Sequence, residues 1–303
     1  MAWPTWQQGV VTALVCIAVA LVLARMAPTR ARTAGGAAAR EVALLAGLYS
    51  IWRLARVLPL ATESGAVERA RQIDRFQHFL HMPSELSLQH FVLRNGWLGR
   101  FLNAYYAILH VPALITFLVW LFVRHRDRYA HWRNGLAILT ACCLVIRFVR
   151  VAPPRLVPDL GYIDLATRFG LSVYGPAGTG VSDQLAAMPS IHVGWAAVVS
   201  LGAVAASTSR WRWLVAAHVV LTALAVSATG NHWWLDGIVA VVLLIGGLRA
   251  DTLVRQRVAS WRARHRPAAA PPGTDVESNR SAGGTSNDTS NDTSKDSLHP
   301  ASS

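Results

Sequence analysis

Two short segments hold the side chains best suited to chemistry: Met188-Pro189-Ser190-Ile191-His192 and Gly230-Asn231-His232-Trp233-Trp234-Leu235-Asp236. Each lies where a polar turn meets an apolar run, so both histidines and the aspartate are expected at helix ends. Pro189 suits the first position of a helix, where the following backbone N–H groups lack intrahelical partners and, with the helix dipole, favour an anion. Ser190 adds a hydroxyl, and His192 falls in the first turn, within reach of a bound phosphate. On its own, this segment is better explained as a helix cap beside an interfacial histidine. The second segment changes the balance. Gly230 allows a tight turn, Asn231 is a good N-cap, and His232 and Asp236, four apart, share a helix face. A carboxylate one turn from an imidazole holds one ring nitrogen and leaves the other as nucleophile or base. An aspartate buried in an apolar helix is costly unless paired, and His232 is its obvious partner.

A third element is RFVRVAPPR, which carries Arg147, Arg150 and Arg155. Arg147 and Arg150 are expected on one helix face, and Arg155 follows a Pro-Pro pair that stops the helix and stiffens the turn. The planar guanidinium makes paired charge-assisted hydrogen bonds to phosphate, so an anionic phosphoryl group is the matching ligand. Snorkelling to an interface would account for one arginine more readily than for three. Arg53 and Arg56 either join the same pocket or reach the membrane interface.

The elements that must position these residues are transmembrane helices. The 303 residues are 53% apolar, with runs approaching the roughly 20 residues a helix needs to cross a bilayer. Spans are expected at about Trp6 to Ala24, Val42 to Ala61, Phe101 to Val123, Leu136 to Val151, Ile191 to Ser207, Trp213 to Thr229 and His232 to Leu248. The net charge of +13 does not indicate nucleic-acid binding, because the arginines cluster in connections rather than on one soluble face. Arg25, Arg30, Arg32 and Arg40 follow the first run, and Arg124, Arg126, Arg128 and Arg133 separate the third and fourth. Arg210 and Arg212 join the fifth and sixth, and Arg249, Arg255, Arg257, Arg262, Arg264 and Arg266 follow the seventh. The positive-inside rule makes these connections cytoplasmic and residues 62 to 100 and 152 to 189 external. All three chemical segments then fall on the outer side.

The expected organisation is an N-terminal anchor over residues 1–25, a cytoplasmic Ala/Gly/Arg linker over 26–40, a membrane domain over 41–250 and a cytoplasmic tail over 251–303. The leader before the first run carries no basic side chain, which favours a retained anchor over a cleaved signal. Residues 62–100 form an outer amphipathic segment, with Val67, Ala70, Ile73, Phe76 and Leu80 at helical spacing, either roofing a lipid-access route or packing peripherally. Residues 152–189 form the outer active-site loop. From Pro267 onward a Pro/Ala then Gly/Ser/Asn/Asp composition predicts disorder. Cys16, Cys142 and Cys143 lie inside apolar runs as small fillers. His110 lies near Tyr105 and Tyr106, as a second layer of the site or a hydrogen-bonded structural histidine. His78, His81 and His90 fall on the outer segment, and His218 lies alone in its span.

Pro189-Ser190-x-His192 and His232-x-x-x-Asp236, preceded by the arginine segment, resemble the type 2 phosphatidic acid phosphatase superfamily. APPRL at 152–156, GYID at 161–164, AAMPSIHVGWA at 186–196 and TGNHWWLDG at 229–237 resemble its branch containing inositol-phosphorylceramide synthase. The resemblance covers roughly residues 41–250. It implies an all-α integral membrane protein with a six-helix bundle, the first span being an extra anchor. It also implies a lipid phosphatase or phosphotransferase of the cell membrane, with its site facing outward, a lipid phosphate as substrate, and no metal or cofactor. His232 would be the nucleophile, forming a phosphohistidine. Asp236 would orient it, and His192 would protonate the leaving oxygen. Arg155, Ser190 and backbone N–H groups would hold the phosphoryl oxygens, with Arg147 and Arg150 beside them.

The sequence departs from the superfamily pattern. Arg147 stands at a lysine-like position, Arg155 follows proline instead of preceding it, and Ile191 replaces a glycine. Ala225 and Val226 occupy the place of Ser-Arg before the histidine. With one phosphate-binding arginine fewer, a singly charged phosphodiester is favoured over a dianionic monoester, and Arg147 or Arg150 would be the compensating cation. Two other chemistries use the same residues. A carrier for an anionic lipid would hold the head group on the arginines without turnover. A zinc site would combine His192, His232 and Asp236 with a water.

Overall fold

The computed structural model describes residues 4–57, 64–169 and 184–265. Among them the chain is all-helical, without strands. Eleven α-helices follow in order: α1 Trp6–Arg25, α2 Arg30–Val57, α3 Ala66–Phe79, α4 Glu85–Arg94, α5 Gly96–Ile108, α6 His110–Arg124, α7 Arg126–Ile146, α8 Leu165–Phe169, α9 Ile191–Ala206, α10 Arg212–Ala228 and α11 Trp234–Arg264. The disordered tail expected from Pro267, and part of the loop expected over 152–189, lie outside the described residues. Residues from Ser260 onward form a separate unit, of which the end of α11 and His265 are described.

α1 and α11 are long and apolar enough to cross a membrane. α5 and α6 together pass the same test, but as a pair bent by 48°. α9 and α10 are apolar but shorter. The span expected as one helix over Phe101 to Val123 is thus broken at Leu109. Its cause is Pro112, which supplies no N–H and whose ring clashes with the carbonyl of Ile108, four residues earlier.

Other boundaries also move. α2 starts at Arg30, inside the stretch expected as a linker, because Thr29 accepts the N–H of Arg32 and alanine carries the helix onward. α7 begins at Arg126 and stops at Ile146, ten residues before and five before the expected ends of that span. α11 starts at Trp234, not His232, and continues through Arg249, Arg255, Arg257, Arg262 and Arg264. In α1 the side chain of Gln8 accepts the N–H of Thr5 at 2.8 Å, completing a capping box.

α9 is the hub of the bundle, packing on α6, α7 and α10. A Cβ on Gly194 would stand 2.9 Å from Leu139 of α7 and 3.4 Å from Ala240 of α11, so the glycine lets three helices approach closely. Leu121, Leu139, Val198 and Leu244 are fully buried in the main core. By contrast Val11, Leu14 and Val22 of α1 are more than half exposed, as suits a surface that meets lipid.

Many basic side chains gather at one end of the bundle and are paired there. Arg133 meets Glu41 at 2.6 Å, and Arg128 donates to the carbonyl of Ala205. Asp251 of α11 accepts from His131 at 2.7 Å, Asn134 at 2.6 Å and Arg255 at 2.6 Å. Asp236 is fifteen residues earlier on the same helix, so the two aspartates stand about 22 Å apart along its axis.

Candidate active site

The chain reaches the opposite end through a short backbone bridge. Val151 pairs with Ala186: the N–H of Val151 donates to Leu185 at 2.8 Å and that of Ala187 donates back to Val151 at 3.1 Å. Trp233 is buried against this bridge, and its indole N–H donates to Ala152 at 3.1 Å. These bonds place the segment after α7 alongside the approaches to α9 and α11.

α9 starts at Ile191, two residues later than a helix with Pro189 in its first position. The Met188-Pro189 peptide is cis, and Ser190, not Pro189, caps the helix, its hydroxyl oxygen accepting the N–H of Val193 at 3.4 Å. The N–H of Ser190 donates to the carbonyl of Asp236 at 3.1 Å, joining the two helices. His192 follows within the first turn.

Asn231 is likewise not the cap of α11. Its side-chain oxygen accepts from Arg155 Nη1 at 2.5 Å, while its Nδ2 donates to Thr229 at 2.7 Å. Asp236, in the first turn, reaches back instead, Oδ2 accepting the N–H of Trp233, the residue before the helix, at 2.8 Å. The first turn is finished from outside the segment. Glu85 of α4 accepts the N–H of Trp234 at 3.0 Å, Gln77 of α3 accepts that of Leu235 at 2.9 Å, and Gln77 also donates to Glu85 at 2.7 Å. Burial raises the pKa of Glu85.

The three predicted catalytic residues come together although His232 precedes the helix. Nδ1 of His232 lies 2.7 Å from the carbonyl oxygen of Ala187 and 3.3 Å from Oδ2 of Asp236. Both neighbours are acceptors, so Nδ1 carries the proton and Nε2 presents a lone pair. That Nε2 lies 3.4 Å from Nδ1 of His192. His232 and Asp236 are buried at 3% and 0% exposure, so the nucleophile candidate is shielded from bulk water.

Arg155 is placed by Gly230 and by a 3-10 turn, Pro154–Leu156. Its N–H donates to the carbonyl of Gly230 at 3.1 Å, and Asp164 stands 3.7 Å from its Nε. Gly230 has φ of 68°, and a Cβ there would stand 3.2 Å from that of Arg155. Arg147 and Arg150 are buried, but α7 has ended, so no common helix face joins them. Arg147 caps α7, and the carbonyl of Arg150 accepts from Arg69 of α3 at 2.6 Å. Ala225 and Val226, in place of the missing arginine, are buried in helix packing. Arg53 lies on α2; the side chain of Arg56 falls outside the described ones.

Several residues of the site carried no signal in the sequence. Gln89 is fully buried and ties the loop to α10, exchanging bonds with Ile163 at 2.8 and 3.0 Å and donating to Ala228 at 3.1 Å. Gln77 and Glu85 belong to an amphipathic pattern whose expected stripe is only partly right. Ala70 is buried, whereas Phe76 and Leu80 are about half exposed. His218 is not alone, since it bonds the hydroxyl of Tyr105. His192 is flanked by aromatic rings, Tyr106 at 4.7 Å and His110 at 5.0 Å between centroids. Among the described residues no set of three or more His, Cys, Asp or Glu side chains is arranged to hold a metal.

An imidazole with one nitrogen fixed and the other facing a second imidazole, at two helix starts and next in the chain to the Asn231 that holds Arg155, is equipped for nucleophilic attack on an anionic centre. The family described as the PAP2 superfamily matches residues 71–250, more than half of the chain. No curated protein and no solved structure matches it.

Proposed function

The chain belongs to the PAP2 superfamily, and on that premise we propose that it is a membrane enzyme that hydrolyses or transfers the phosphoryl group of a lipid-linked phosphate through a phosphohistidine. The observation that carries this is the imidazole pair, with Nε2 of His232 3.4 Å from Nδ1 of His192 and Nδ1 of His232 held by Ala187 and Asp236.

In the first step Nε2 of His232 attacks phosphorus, the bond to the lipid oxygen breaks, and that oxygen takes a proton from His192. Positive charge on the imidazole is stabilised by the Asp236 carboxylate and the Ala187 carbonyl. Arg155, Ser190 and the amides at the start of α9 hold the phosphoryl oxygens, with Arg147 and Arg150 contributing charge nearby. In the second step water or an alcohol attacks phosphorus, giving its proton to His192 as the P–N bond breaks.

The finer assignment is to an inositolphosphotransferase-like activity on a diester, supported by the apolar Ala225 and Val226 where a further arginine would stand. The substrate is a lipid with a phosphate at the outer face of the cell membrane, and the C-terminal tail is cytoplasmic. The six-helix bundle with an extra N-terminal anchor, and the active-site loop over 152–189, belong to the same proposal.

Lipid mass spectrometry tests it. Wild-type and His232→Ala proteins are compared in liposomes holding phosphatidic acid, polyprenyl phosphate and phosphatidylinositol, with a diacylglycerol or ceramide acceptor. Loss of a terminal phosphate, or a head group moved to a new lipid, is expected for wild type alone. Identical products from both proteins would exclude the histidine nucleophile, and binding without turnover in either would favour an anionic-lipid carrier.

A further inference from the structure

We propose that His110 forms a hydroxyl-binding subsite beside the imidazole pair, holding the water or alcohol that takes the phosphoryl group from His232. The inference rests on the phosphohistidine function proposed above. His110 is 5% exposed, and neither of its ring nitrogens has a hydrogen-bonding partner among the described residues. Other histidines of this chain are partnered: His78 with the carbonyl of Asp74, His131 with Asp251, His218 with Tyr105 and His232 with Ala187. A structural histidine in a helical bundle finds a carbonyl or a hydroxyl, because a buried polar atom left unmatched is costly.

The ring is also held rigidly at a useful place. It stacks on Trp195, centroids 5.5 Å apart and planes within 2°, and the indole N–H of Trp195 is fixed by Thr140 at 3.0 Å. Stacking closes a face of the imidazole but leaves its nitrogens at the edge. Trp195 follows His192 by three residues on α9, so His110 lies one helical turn below the catalytic face, 5.0 Å from the His192 ring. The bend forced by Pro112 puts His110 at the first position of α6.

A neutral imidazole both donates and accepts, which matches a hydroxyl. Its N–H holds the acceptor oxygen through one lone pair and leaves another for phosphorus. As that oxygen bonds to phosphorus, the P–N bond to His232 breaks with its electron pair returning to the ring, and the hydroxyl proton passes to His192. His110 gains and loses nothing.

The test uses the full chain in vesicles containing phosphatidic acid labelled in its phosphate, with and without glycerol, under rapid mixing and an alkaline quench that preserves phosphohistidine. Wild type, His110→Phe and His110→Asn are compared for the rates at which phosphohistidine forms and breaks down across pH. The ratio of breakdown to formation is expected to fall about threefold to tenfold in His110→Phe, the worth of one hydrogen bond, and to recover in part in His110→Asn. A drop confined to inorganic phosphate release assigns the subsite to water, and a drop in glycerol phosphate assigns it to an alcohol. Equal loss of both steps in both variants, or no change of the ratio, would reduce His110 to a packing residue. Absence of phosphohistidine in wild type, with phosphatidic acid and with phosphatidylinositol labelled in its phosphate alike, would remove the underlying function, and the subsite with it.

Discussion

The carbonyl oxygen of Ala187 stands closer to Nδ1 of His232, at 2.7 Å, than does the Asp236 carboxylate, at 3.3 Å. The tautomer of His232, the proposed nucleophile, is therefore fixed by backbone as well as by side chain. Where a carboxylate alone does this work, its amide replacement costs about 10⁴-fold in turnover through the wrong tautomer. Here Asp236→Asn is expected to lose only about 10 to 100-fold, for weaker charge stabilisation, and His232→Ala to lose far more. Steady-state turnover of the lipid phosphate by the two variants decides it, and equal losses would make Asp236 the sole orienting group.

Arg155 is bracketed by Asn231 at 2.5 Å and Asp164 at 3.7 Å. Arg155→Lys keeps the charge but loses the fork, and so is expected to fall within about threefold of Arg155→Ala in kcat/KM. Asn231→Ala should lower the same quantity while leaving the arginine in place. Full activity of the lysine variant would show that charge alone suffices.

Gly230 is the one position in the second motif whose backbone excludes other residues, with φ of 68°. Gly230→Ala is expected to cost roughly 1–2 kcal/mol from the left-handed backbone, with more from the crowded Arg155 and Gln89. Thermal unfolding in detergent measures it, and an unchanged midpoint would mean that the turn relaxes freely.

Glu85 gives a pH dependence. Its pKa is raised above the usual 4.5 by burial, so the protonated form is the one the fold favours. The wild-type contribution is full below pH 4.5 and declines as pH rises through the raised value. Glu85→Gln keeps the acceptor for Trp234 and does not titrate, so its advantage in melting temperature should grow from pH 4.5 upward. Glu85→Ala leaves the Trp234 N–H unmatched and is expected to cost about 1–3 kcal/mol. A Gln variant whose advantage is the same at every pH would mean that the carboxylate is fully compensated.

How much of this was legible in the sequence depended on the range of each interaction. The His232-x-x-x-Asp236 spacing brought its pair into contact because that contact is local. Apolar runs located α1, α9 and α10 to within a residue or two, since long periodic segments have few alternatives. Asn231 looked like a cap because nothing local showed that Arg155, seventy-six residues away, would claim its oxygen. Gln77 and Glu85 gave no local signal, for their partners lie some 150 residues on. Pro112 was visible throughout, yet a bend within an apolar run leaves the hydropathy unchanged.

The clasp that Gln77 and Glu85 make on α11 ties α3 and α4 to the turn that carries His232 and Asp236. Trp234 and Leu235, whose amides they hold, sit between His232 and Asp236 in the chain. Lifting α3 and α4 to admit a bulky molecule would strip those amides of their acceptors and loosen the turn that aligns His232, the proposed nucleophile. A molecule that entered by that route would have to let both helices return before the imidazole is in register, so that access and readiness to react would be mutually exclusive.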